Sequence, residues 1–109
     1  MNMNDYQTRA KATDLYPPDV RLVALLMGLA SEVGEVTGKY GKYLRGDESL
    51  VDEEKLKEVL LAEVGDVLWY VAMVSDELGV TLSDVAQANL DKLANRKERG
   101  VIKGGGDGR

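Results

Sequence analysis

The chain has 109 residues, no Cys, no His and a formal net charge of −5. That length is natural for one domain, and the missing residue types exclude disulfide frameworks, thiol nucleophiles, Ser-His-Asp triads and Cys/His zinc sites. Any metal must take oxygen ligands, which favours magnesium, manganese or calcium, and the acidic balance argues against a general nucleic-acid-binding surface.

Residues Met1 to Asp14 contain no apolar stretch of signal-peptide length. No apolar run of about 20 residues occurs, so no membrane contact is predicted and the cytoplasm is the expected location. Asn4 to Asp14 reads as a short first helix, stopped by Tyr16-Pro17-Pro18 because proline disfavours helix in the residue before it. Asp19 is the expected N-cap of a second helix. From Val20 to Arg45 the apolar residues Leu22, Leu25, Leu26, Leu29, Val33, Val36, Tyr40, Tyr43 and Leu44 recur at helical spacing, and Gly46 marks the stop.

Gly46 to Val51 reads as a loop. A long third helix follows from about Asp52 to Leu78, ended by Gly79. Thr81-Leu-Ser-Asp84 has the form of a capping box and opens a fourth helix to about Arg99, closed by Gly100. No strand pattern competes. The expected fold is all-α: an antiparallel bundle of four to five helices over residues 1–102, followed by a glycine-rich tail, 103–109.

One short pattern occurs twice. The second helix contains Glu32-Val-Gly-Glu35 and the third contains Glu63-Val-Gly-Asp66. Each sets two carboxylates one turn apart on a single face, where like charges repel unless a cation lies between them. Each also holds an internal glycine, Gly34 or Gly65, at a cost of about 1 kcal/mol in a helix interior. Close approach of a backbone or ligand is the usual compensation.

Between Val59 and Ser75 the only charged residues are Glu63 and Asp66, in a segment apolar nearly all round. Such a helix is expected to be buried on several sides, and unpaired acids in it would suffer a large desolvation penalty. On the second helix the same face continues as Glu32, Glu35, Lys39 and Lys42. A divalent metal at the acids and phosphate oxygens at the lysines is the economical reading. Two plainer readings stand beside it: solvated acids, or an internal salt-bridge network with Lys39 and Lys42. Tyr6, Trp69 and Tyr70 read as core or interface residues. Lys92, Arg96 and Arg99 share one face of the last helix, either as solvated charge or as phosphate contacts.

Gly28-Leu-Ala-Ser-Glu32-Val-Gly-Glu35-Val, a spacer, then Glu63-Val-Gly-Asp66-Val-Leu-Trp-Tyr resembles the signature of the MazG-like nucleoside triphosphate pyrophosphohydrolases. The stretch Asn89-Leu-Asp-Lys92-Leu-Ala-Asn-Arg96 resembles that family's C-terminal basic stretch. The resemblance covers Leu22 to Gly100. It implies an all-α enzyme that splits a nucleoside triphosphate between its α and β phosphates, giving a monophosphate and pyrophosphate. It also implies that Glu32, Glu35, Glu63 and Asp66 are ligands of Mg2+, with Mn2+ as a substitute, and that Asn89 and Lys92 contact the nucleotide.

Lys39 and Lys42 join the expected phosphate contacts by helical phase, and Arg96 by its place on the face of Lys92. Glu35, nearest the lysines along its helix, is the expected general base. Housekeeping of the nucleotide pool is the expected role, with a non-catalytic helical oligomerisation or regulatory module as the alternative. The excess apolar surface of Val59–Ser75 predicts a homo-oligomer, a dimer or a dimer of dimers, with Trp69 near the subunit contact.

Overall fold

The computed structural model describes residues 1–50 and 52–109. Its α-helices are α1 (Met3–Lys11), α2 (Arg21–Leu44), α3 (Glu53–Glu77) and α4 (Leu82–Glu98), with 3-10 turns at Pro18–Val20 and Glu48–Leu50. Among the described residues there is no strand, as the helical spacing predicts. Val51, the last residue of the expected loop, lies outside the described residues.

The helix boundaries follow local chemistry. At α1, the Asp5 N–H donates to the Asn2 side chain at 2.8 Å, so this helix begins one residue earlier than expected and has its own cap. Asp19 is not the N-cap of α2. Pro18 opens a 3-10 turn that encloses Asp19, and α2 begins after Val20 with no side-chain cap. Proline's fixed φ suits the first position of such a turn, which uses up the residues that would otherwise have capped the helix. Gly46 and Gly79 end α2 and α3 with φ of 80° and 79°, the left-handed conformation that glycine adopts without a Cβ penalty. The Thr81 capping box forms as expected, the Asp84 N–H donating to Thr81 Oγ1 at 3.1 Å.

Helices α2 and α3 pack antiparallel along their length. Arg21 meets Glu77, Gly28 meets Tyr70, and Glu32 meets Asp66, one register running in opposite chain directions. The core sits at one end of this hairpin, where α1 crosses it. Leu25, Ala72 and Met73 are fully enclosed there, together with Ala10 and Leu82. Arg21 pins the same end: it pairs with Asp14 at 2.8 Å, Asp76 at 3.0 Å and Glu77 at 2.7 Å, while Lys11 reaches Asp76 at 3.0 Å. The buried Gln7 side chain fastens α4: its amide donates to the Ala72 carbonyl at 3.2 Å and the Val80 carbonyl at 3.0 Å, and its oxygen accepts from the Leu82 N–H at 3.0 Å.

The expectation that Val59–Ser75 is buried on several sides is corrected. Within it only Ala72, Met73 and Ser75 are buried, while Leu61 is 60% and Val64 50% exposed. Within the chain α3 packs on α1, α2 and α4 but leaves the face of Leu61 and Val64 uncovered. Val23, Leu26, Met27, Val33, Tyr40 and Leu44 of α2 are exposed as well. The radius of gyration, 17.0 Å, exceeds the roughly 13 Å of a compact chain of this length. The accessible surface, 7631 Å², exceeds the roughly 5,900 Å² expected for its mass.

Candidate metal centre

Glu32 comes from α2, and Glu63 and Asp66 come from successive turns of α3. The antiparallel register brings these residues face to face, and one carboxylate oxygen from each lies within 4.8 Å of the other two. Glu32 and Glu63 are half-buried and Asp66 is exposed, so the acids line a rim rather than a sealed interior. Burial, and then the charges of Asp66, Glu63 and Glu35, push the Glu32 carboxyl above the usual carboxylate range. The donors are hard oxygens held close enough to share one cation, a set that suits magnesium or manganese.

The other expected site residues fall in two places. Glu35 is exposed one turn along α2, outside the group of three. Lys39 is half-buried and Lys42 exposed, further along the same helix. Among the described residues no ion pair ties either lysine to the acids, so the structural salt-bridge network does not form. Asn89 and Lys92 line a separate apolar cavity with Val80, Asp84, Val85 and Ala88. Arg96 is buried and, with Lys92, holds Asp107. Helix α4 packs on α1 and α3, so a single chain does not bring its cations into the cavity of the carboxylates.

Aromatic residues expected as core or interface form a wall beside the acids. Thr13, Glu32, Asp66, Trp69 and Tyr70 enclose one cavity, and Leu15 and Tyr16 extend it. Trp69 Nε1 donates to Thr13 Oγ1 at 2.8 Å, and the Tyr16 and Tyr70 hydroxyls share a 2.8 Å hydrogen bond. That bond, then burial and the nearby acids, pushes the Tyr70 phenol up to about 12. The signal was present in the spacing, since Trp69 and Tyr70 follow Asp66 by three and four residues on a helix.

Among the described residues no neighbouring element comes within 4 Å of where a Cβ would stand on Gly34 or Gly65, so the packing of this chain on itself does not explain those glycines. Gly28 is the glycine that needs its missing side chain, because a Cβ there would overlap the ring of Tyr70. Gly28→Ala gains about 1 kcal/mol of helix propensity but overpacks at about 1–3 kcal/mol. The expected result is a lower thermal midpoint. A raised midpoint would show that Tyr70 moves aside freely.

An all-α hairpin that gathers three carboxylates on one rim is the class of protein that fold and site define. The chain belongs to the family described as the MazG nucleotide pyrophosphohydrolase domain, whose profile matches residues 22–101. It is 43% identical over 115 residues to the Gene 37 protein of Mycobacterium phage L5, a match covering 100% of both chains. It is 36% identical over 85 residues to the Uncharacterized protein YvdC of Bacillus subtilis (strain 168), covering 76% of this chain and 78% of that one. No solved structure matches it significantly. Among the described residues no helix is long and apolar enough to cross a membrane.

Proposed function

We propose that this protein hydrolyses a nucleoside triphosphate between the α and β phosphates, in service of the free nucleotide pool. Water adds to the α phosphorus, and pyrophosphate leaves. The observation that carries this reading is the meeting of Glu32, Glu63 and Asp66 within 4.8 Å inside the region matched by the family. When bound, Mg2+ or Mn2+ supplies charge neutralisation for the phosphate oxygens and a more acidic water. Glu32, Glu63 and Asp66 would hold the ion, with Glu35 beside them at the open rim. Glu35 is exposed there and accepts the proton of the attacking water. The adjoining wall of Thr13, Trp69 and Tyr70 receives the sugar or base. With its pKa raised to about 12, Tyr70 keeps its proton and adds no negative charge near the phosphates.

Lys39 and Lys42 lie further along α2 and serve the phosphate chain. Asn89, Lys92 and Arg96 sit on α4, away from the acids of their own chain, and reach substrate from a second copy. The exposed faces of α2 and α3, and a surface well above that of a compact monomer, support a homo-oligomer, a dimer or a dimer of dimers. Light scattering at low micromolar concentration is expected to give a multiple of 11.9 kDa, and a stable monomer would remove this assembly.

The function is tested by incubating the protein with a panel of ribo- and deoxynucleoside triphosphates and Mg2+. Stoichiometric monophosphate and pyrophosphate are expected from at least one of them, with turnover lost on adding a chelator. A folded protein that releases no pyrophosphate from any triphosphate sinks the proposal.

A further inference from the structure

The glycine-rich segment after α4 does not trail away. It folds back along the helix. The Asp107 carboxylate accepts from Lys92 Nζ at 3.0 Å and from Arg96 Nη2 at 2.7 Å. Arg109 donates from Nε to the Val101 carbonyl at 3.0 Å and bonds the Gly106 and Ile102 carbonyls, while Arg99 donates to the Arg109 carbonyl. This closed loop lies over the Arg96 guanidinium, whose side chain is only 6% exposed. Among the described residues the buried Arg96 Nε has no acceptor.

That unmet donor shows how Asp107 fits. An arginine fork is best filled by an anion that takes Nε and a terminal nitrogen together. Asp107 takes one terminal nitrogen of Arg96 and the ammonium of Lys92, leaving Nε unused. A phosphate group carries more oxygens in a tetrahedral arrangement, enough to engage Nε, Nη2 and the Lys92 ammonium at once. Asp107 itself is exposed and reaches the pair from a chain rich in glycine, so it can leave without disturbing the core.

We infer that the segment 101–109 is an internal strap in which Asp107 stands in for a phosphate group on Lys92 and Arg96, and that a phosphate or pyrophosphate group must displace it to bind there. The inference rests on the proposal that these α4 cations contact the substrate's phosphates. An internal competitor lowers apparent affinity by the fraction of time the pair is free.

The test is calorimetric binding of inorganic pyrophosphate to the full chain, which needs no turnover. Asp107→Asn is expected to bind it about threefold to tenfold more tightly than the natural chain. Lys92→Gln is expected to bind more weakly, and adding Asp107→Asn to Lys92→Gln is expected to restore little. If Lys92→Gln weakens binding while Asp107→Asn leaves it unchanged or weaker, the strap is wrong and the phosphate contact stands. If Lys92→Gln binds like the natural chain, the phosphate contact is wrong and the strap falls with it.

Discussion

Glu63→Gln and Asp66→Asn are each expected to reduce pyrophosphate release by at least about a hundredfold while leaving the helical content unchanged. The amide keeps the shape of the side chain but removes the charge that the proposed cation needs. Stability separates this from a structural role. Without metal the three carboxylates repel one another, so the Glu63→Gln variant should melt at the same temperature as the natural chain or higher. Glu32 fixes the sign with pH. Burial and the neighbouring acids raise its pKa on folding, so the folded state binds its proton more tightly than the unfolded chain does. Metal-free stability should therefore fall as pH climbs from the ordinary glutamate range through the raised value. Glu32→Gln should flatten that fall, and Mg2+ should reverse it in the natural chain. Melting curves in EDTA at several pH values read this directly. Amide variants that melt well below the natural chain without metal would mean that the acids hold the fold together instead.

The largest stability effect is expected at Arg21. Its guanidinium joins Asp14 from the loop after α1 to Asp76 and Glu77 from the end of α3. The Asp14 side chain is 4% exposed, so Arg21→Met leaves it enclosed without a counter-charge. Breaking such a pair from one side costs about 3–5 kcal/mol. Against a typical total of about 5–15 kcal/mol this is a major loss, visible as a large drop in urea midpoint. Adding Asp14→Asn should recover part of it, because the stranded charge goes. Acid should expose the same clamp. Burial tends to raise the Asp76 carboxyl, but hydrogen bonds from Lys11 and Arg21 prevail and hold it below the usual aspartate value. That stability is present above the ordinary value and is lost as pH falls through the depressed one. A loss below 1 kcal/mol in the Arg21→Met variant would reduce the clamp to ordinary surface charge.

Much of the helical layout could be read from residue spacing. Apolar periodicity and the stops at Gly46, Gly79 and Gly100 marked the helices because those signals act over a few residues. Tandem acid pairs pointed to the meeting of Glu32 with Glu63 and Asp66, since a short connection favours an antiparallel hairpin. Asp19 misled because a preceding proline opened a competing turn that its side chain does not announce. The apolar context of Glu63 suggested burial, but an apolar run does not say what packs on it, and within this chain the face of Leu61 and Val64 stays exposed. Gly34 and Gly65 looked like sites of close approach, and the constraint fell at Gly28, where it depends on the rotamer of Tyr70, some forty positions away. Asp107 was invisible for the same reason, since glycine-rich composition says nothing of which side chain the segment carries back to α4.

Gln7 has a consequence for the order in which this protein assembles on the ribosome. Its three bonds reach Ala72, Val80 and Leu82, up to 75 positions further along the chain. Helices α2 and α3 are neighbours in sequence and can close on each other as soon as both are made. The nine residues of α1 are too few to persist as a helix in water. Their partners are among the later residues synthesised, so loop closure over that span must come near the end. The nascent chain therefore holds an open hairpin with a loose leading end, and one glutamine seats both the first helix and the last.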